Sequence, residues 1–231
     1  MNYKEIKKYL GVYLQPFLSA YDFKIIDVTT HGYKIEKKTK KLLNMCWSSK
    51  KTGANNTVEL RGITLYVTLF NVENALKEVV EKYNLEQGDC TFMNYDNSDE
   101  GVRRRNLISD ILISTEEDFI RYTEVVKSFF REVAFPFFDR YNSIEAVNEL
   151  INELINDVDI KKLPRHFGGG YPVNYFKIMY ITKICGNEER YNLVKSRLLV
   201  AFEEDKNDTF YIEKYPRNVE AYNELIGMLE K

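Results

Sequence analysis

An α+β fold is predicted for this chain of 231 residues. It comprises an antiparallel sheet of about four to five strands packed against a long aromatic-rich helix, with a C-terminal helical hairpin subdomain. Three patterns carry the prediction. In residues 115–141, Phe119, Tyr122, Val126, Phe129, Phe130, Val133 and Phe137 recur at three- and four-residue steps, which is one face of a helix. Between Gly32 and Phe70 the apolar period drops to two, the spacing of half-buried strands. Beyond Pro172, two apolar runs meet at Gly186-Asn187, a helix stop followed by a helix cap.

Taken in order, Asn2 with Glu5 three residues on forms a capping box for a first helix. Its buried stripe reads Ile6, Tyr9, Leu10, Tyr13, Leu14 and Phe17, and it stops or bends near Pro16. Tyr33 and Ile35, then Leu43, Met45 and Trp47, then Ile63, Leu65, Val67 and Leu69 mark strands. Val58 and Leu60 are even-numbered while Ile63 to Leu69 are odd, so a strand through all of them needs a bulge or bend at Arg61-Gly62.

Asn71 is placed as the cap of a helix through Tyr83. Two weaker strands follow, near Cys90 to Tyr95 and Leu107 to Ile113. The aromatic helix is capped at Thr115 and must kink or break at Pro136, which lacks an amide proton. Ser143 to Asn156 is a further amphipathic helix, and a last helix spans Val219 to Leu229. The organisation expected is an α+β core over 1–157, a linker over 158–171 and a helical subdomain over 172–231 packed on the core.

Composition narrows function more than it defines it. With 33 basic and 35 acidic residues the formal charge is -2, so there is no global field to draw a phosphate backbone, and nucleic acid is disfavoured as a partner. Three cysteines, Cys46, Cys90 and Cys185, stand far apart without a CxxC pair, which points to a reducing, cytoplasmic setting and not to a disulfide framework. The N-terminus interleaves Lys and Glu with its apolar residues, unlike a signal peptide, and no run is apolar enough for a membrane span.

No catalytic, cofactor or metal motif is complete, so the protein is expected to be noncatalytic, with no cofactor. Asp96 to Gly101 begins like a calcium loop, but its closing position is Leu107, and Arg103, Arg104 and Arg105 fall within it. His166 to Pro172, HFGGGYP, lacks the nucleophile elbow of an esterase and the Gly-Lys-Ser/Thr ending of a phosphate loop. It reads first as a hinge. As the alternative, His166, Gly168, Gly169, Gly170 and Tyr171 would line a ligand pocket between the sheet and the helical subdomain, serving an enzyme or small-molecule binder. Glu145, Glu149, Glu153 and Asp157 follow at four-residue steps, a hydrated helix face. Lys34, Lys37, Lys38, Lys40, Lys41, Lys50 and Lys51 form a basic cluster beside Trp47, which reads first as edge-strand lysine that prevents aggregation and otherwise as a patch facing RNA or an acidic protein. If a partner-binding surface exists, it is placed at Trp47, Lys50 and Lys51 and at Arg103, Arg104 and Arg105.

The segment Tyr21 to Lys24, YDFK, and the run AFPFFDRY ending at Tyr141 resemble parts of uncharacterised bacterial α+β proteins of immunity-protein-like type. The resemblance covers most of Met1 to Leu154 and transfers no site residues. It implies a protein that neutralises a toxin by binding it. The expected function is thus a cytoplasmic protein-binding module, its partner another protein.

Overall fold

The computed structural model of the protein describes residues 1–53, 57–93, 106–157, 163–206, 208–214 and 216–230. Its fold is α+β, with a six-stranded sheet and helices that continue to the C-terminus. The chain divides into two compact units: Met1–Val67 with Asn94–Arg140, and Thr68–Met93 with Tyr141–Lys231. This division differs from the sequential one expected, because two helices read as core elements, over 70–82 and 144–157, group with the C-terminal helices.

In the first unit the chain enters α1 (Tyr3–Tyr9) through a complete capping box. Asn2 Oδ1 accepts the Lys4 and Glu5 N–H groups at 2.9 and 3.1 Å, and Glu5 Oε2 accepts the Asn2 N–H at 2.7 Å. Pro16 does not end the helix. A π turn over Leu10–Leu14 precedes it, with the Gln15 N–H donating five residues back to the Leu10 carbonyl, and α2 (Gln15–Ser19) continues beyond. Widening the turn ahead of a proline moves aside the carbonyl its ring would strike.

The aromatic helix repeats the device. α3 (Glu116–Phe129) is capped by Thr115, whose Oγ1 accepts the Asp118 N–H at 3.2 Å. It runs into a π turn over Phe130–Ala134 and then α4 (Phe135–Arg140), so Pro136 neither breaks nor ends it. The extra residue rotates everything downstream by about 100°. The buried residues are therefore Leu10, Leu14 and Leu18 in one helix and Phe130, Ala134 and Phe138 in the other. Tyr13, Phe17, Val133 and Phe137, placed inside by a uniform period, are only half-buried.

The sheet is ordered β1 (Lys24–Thr29), β2 (Gly32–Lys38), β3 (Leu42–Thr52), β4 (Val58–Leu69), β5 (Phe92–Met93), with β6 (Leu112–Ile113) also on β4. β1, β2 and β3 are successive antiparallel neighbours, and β1 is bulged between Ile25 and Asp27. In β4, Val58 and Leu60 are buried and so are Ile63, Leu65 and Val67, which confirms the change of parity at Arg61-Gly62. Side chains serve the backbone there: Ser48 Oγ donates to the Arg61 carbonyl at 2.7 Å and Ser109 Oγ accepts the Gly62 N–H at 2.9 Å.

The second unit holds α5 (Phe70–Lys82), α6 (Ile144–Asp157), α7 (Val173–Ile184), α8 (Glu188–Asp205), α9 (Thr209–Lys214) and α10 (Asn218–Leu229). α5 starts one residue ahead of Asn71, which is inside the helix and not its cap; the Asn71 Oδ1 accepts the next residue's N–H, from Val72, at 3.0 Å. The hairpin of α7 and α8 turns at Gly186, whose φ is 70°. Its N–H reaches the Lys183 carbonyl at 3.0 Å and the Asn187 N–H reaches Thr182 at 2.8 Å, the paired bonds of a glycine-terminated helix. Asn187 then caps α8 and donates its Nδ2 to Asn148 and Asn152 of α6, at 3.0 and 2.9 Å. α9 was not anticipated. The expected strand around Leu107 is a helical turn over 106–109, and β5 and β6 are two residues each.

Candidate functional site

Strand alternation sorts the β2-β3 hairpin into two faces. Opposed pairs Tyr33 with Ser48 and Ile35 with Cys46 point inward, where all four residues are buried. The Tyr33 hydroxyl meets the Tyr122 hydroxyl of α3 at 2.6 Å, which fixes this as the helix-covered side. The alternate pairs are Lys34 with Trp47, Glu36 with Met45, and Lys38 with Leu43, on the outward side. On that side Leu43 and Trp47 are half-buried and bordered by charged side chains, while Met45 between them is buried. Trp47 is half-buried and Lys51, of the same parity, is exposed. Lys50 has the opposite parity, so the sequence-chosen trio is split: Trp47 and Lys51 share a face and Lys50 does not. Arg103, Arg104 and Arg105, with the acidic loop before them, lie outside the described residues.

Residues 166–171 belong to the second unit, and their contacts there are those of a backbone clasp. Gly168 donates its N–H to the Thr91 carbonyl at 3.2 Å and Gly170 donates to Glu86 at 2.9 Å, so neither amide is available to cradle an anion. A Cβ on Gly168 would stand 2.0 Å from the Cys90 carbonyl oxygen, a distance that only glycine permits. Gly169, with φ 97°, approaches the Gln87 carbonyl in the same way. Phe167 bridges to Phe92, and the His166 ring stacks on Phe92 with centroids 6.4 Å apart. Burial lowers the His166 pKa, favouring the neutral ring. Tyr171 turns the other way, donating its hydroxyl to Asp205. Burial first, and that carboxylate second, raise its pKa.

The same 86–91 segment is held from its other side by a lysine that sequence reasoning passed over. Lys177 is fully buried, and its ammonium has three acceptors: Glu73 Oε2 at 2.9 Å, the Gln87 carbonyl at 2.9 Å and the Cys90 carbonyl at 2.7 Å. An ammonium has three protons, so its donor capacity is filled. Glu73, also buried, accepts from Thr91 Oγ1 at 2.6 Å and Gln87 Nε2 at 3.0 Å. The signal was a lone charge in the apolar run YFKIMYI of α7. Such a residue is buried only when paired.

The thiols follow the same pattern. Cys46 and Cys90 are buried, and desolvation raises the Cys46 pKa well above its usual value and that of Cys90 to about 12. A nucleophilic thiol requires the opposite shift. Glu145, Glu149 and Glu153 are exposed along α6. Among the described residues no three His, Cys, Asp or Glu side chains converge as a metal ion would require, and no helix is long and apolar enough to cross a membrane.

One concavity in the second unit has chemical character. It lies among α8, α9 and α10, has a volume of about 200 Å³, and is walled by Phe202, Tyr211, Ile212 and Val219 with Asp205 and Asn218 as polar members. No protein-family model matches the chain, and no curated protein or solved structure matches it.

Proposed function

We propose that the protein is a noncatalytic, cytoplasmic protein-binding module that presents the outward face of β2 and β3 to a partner protein. The single observation carrying this reading is the pair of half-buried apolar side chains Leu43 and Trp47 on the outward side of β3, with Lys34 directly opposite Trp47. A half-exposed tryptophan on a rigid sheet, surrounded by longer charged side chains, has the composition of an interface anchor with a polar rim. The lysines at its border would steer an acidic partner and contribute more to encounter rate than to affinity.

Three further observations support binding over covalent chemistry. The buried ionisable pair Lys177 and Glu73 is saturated with internal partners, the two buried thiols are held protonated, and the glycine amides at 168 and 170 are used by the fold. Free cysteines fit a reducing cytoplasm. The likeness of YDFK and AFPFFDRY to immunity-type proteins names the partner's class: a toxin held away from its target. The test is affinity capture from the native cells with tagged wild type, W47A and K34E/K51E, each first shown by circular dichroism to be folded. A partner recovered by wild type, lost with W47A and weakened with K34E/K51E supports the proposal; equal recovery by all three refutes it.

A further inference from the structure

Within the second unit, α10 lies in a groove with α7 as its floor and α5 and α8 as its walls. The side chains it buries, Asn218, Ala221, Tyr222 and Leu225, form one stripe at three- and four-residue steps, and Tyr222 stands edge-on to Phe202 of α8 at 5.7 Å. At about 100° per residue, Glu224 and Glu230 fall on opposite flanks of that stripe. Each wall meets its flank with the same two donors. Tyr83, at the end of α5, donates its hydroxyl to Glu224 Oε2 at 2.8 Å, and the Lys82 ammonium donates to the same oxygen. On the other side Tyr191 donates to Glu230 Oε1 at 2.8 Å, and Lys195 donates to that oxygen too. These bonds, the lysine's first in each case, hold both carboxyl groups below the usual glutamate range.

Two further observations mark α10 as an exchangeable occupant of its groove. Its connector is little packed, since Thr209, Phe210, Ile212 and Glu213 of α9 are exposed. Docking also carries a cost: Asn218 is 5% exposed, and its Oδ1 has no hydrogen-bond partner among the described residues. Release of the helix returns that acceptor to water.

From this geometry we propose that the groove is a helix-binding site which α10 fills in cis, and that its ligand in trans is an acidic amphipathic helix of a partner protein. The incoming helix would lay a short apolar stripe on α7 and offer one carboxylate to Lys82 and Tyr83 and another to Lys195 and Tyr191. A basic helix would meet both lysines with like charge, and a neutral one would leave them unpaired. The site stands on observations separate from those at the face of β2 and β3.

The experiment titrates a fluorescent peptide of residues 216–230 into the full chain, as wild type and as E224Q/E230Q, each shown by circular dichroism to be folded. Saturable binding to E224Q/E230Q is expected, at least tenfold tighter than to wild type, whose own α10 competes at high effective concentration. The same peptide carrying both Gln replacements should bind about tenfold or more weakly, as expected for lost charge-assisted hydrogen bonds. Should E224Q/E230Q fail to fold, E224Q alone takes its place. Hydrogen exchange of wild type is the second measurement: α10 amides should exchange at least tenfold faster than the slowest amides of α7, through an opening that leaves α7 protected. Absence of saturable binding, equal affinity of the Gln peptide, or exchange of α10 only in step with α7 would overturn the proposal. So would a dimer of the variant that excludes the peptide, which would give the groove to a second copy of the chain.

Discussion

The hydroxyl oxygens of Tyr33 on β2 and Tyr122 on α3 are 2.6 Å apart, and neither residue is accessible to water. Ser48, directly opposite Tyr33 across the strand pair, borders the same contact and donates to the Arg61 carbonyl where β4 changes parity. One polar thread therefore joins the long helix, the central hairpin and the irregular point of β4. Such a network is worth more for specifying register than for raw stability, because every member must be satisfied at once.

Removing either hydroxyl takes one buried hydrogen bond from the other and leaves it Ser48 alone. Y33F and Y122F should each destabilise the protein by about 1–3 kcal/mol, and the double variant should cost less than the sum. Urea denaturation of the four proteins measures this. Burial, reinforced for Tyr33 by its neighbour, raises both phenol pKa values above the usual tyrosine range. A folded pKa above the unfolded one means that the contribution is complete below about pH 10 and is lost as the pH rises beyond it. Wild type should accordingly lose stability in alkali more steeply than Y33F/Y122F.

Lys177 and Glu73 make a sharper case. K177M leaves the Glu73 carboxylate in a dry site without its cation, and should cost about 3–5 kcal/mol. K177M/E73L removes both charges and should recover part of that loss. Thermal and denaturant unfolding of the two variants measures both the loss and its partial recovery.

Gly168→Ala should be among the most damaging single-methyl additions in the chain. Its Cβ has nowhere to go beside the Cys90 carbonyl, and about 1–3 kcal/mol of overpacking is expected. Gly227, in α10 with open space around it, is the control. G227A should stabilise by about 0.5–1 kcal/mol through helix propensity.

Asp118 supplies an acid-side prediction. The Ser114 backbone N–H, its hydroxyl and the Thr115 N–H all donate to this carboxylate, holding its pKa down to about 2. A depressed folded pKa contributes stability above the unfolded value near 3.9, lost as the pH falls towards about 2. The Tm difference between wild type and D118N should therefore be fully developed at pH 5 and should narrow across that interval.

Element types were legible where a local rule dominates: the Asn2 and Thr115 caps, the alternation of β2 to β4, the parity change at Arg61-Gly62 and the Gly186-Asn187 turn. Proline misled because a π turn is a cooperative solution with no residue signature of its own. It let both helices pass Pro16 and Pro136 and displaced the buried face onto Ala134 and Phe138. The grouping of α5 and α6 with the C-terminal helices depends on contacts between residues distant in sequence, which periodicity does not encode. As for the sites, Trp47 and its lysines were visible as residue types, but the split of Lys50 from Lys51 needed strand parity in hand. The pair Lys177 and Glu73 and the unpaired Asn218 oxygen are visible only in three dimensions, since an isolated charge or amide does not name its partner.

Recognition through the outward face of β3 is tested most directly by site-specific photo-crosslinking. A photoreactive side chain replaces Ser49, between Trp47 and Lys51 on that face, and in a parallel sample Glu153 on α6; both proteins are irradiated in the native cells. A discrete covalent adduct with one protein at position 49, absent at 153 and competed away by excess wild type but not by W47A, is the predicted result. No adduct at 49, or the same adduct at 153, would contradict it.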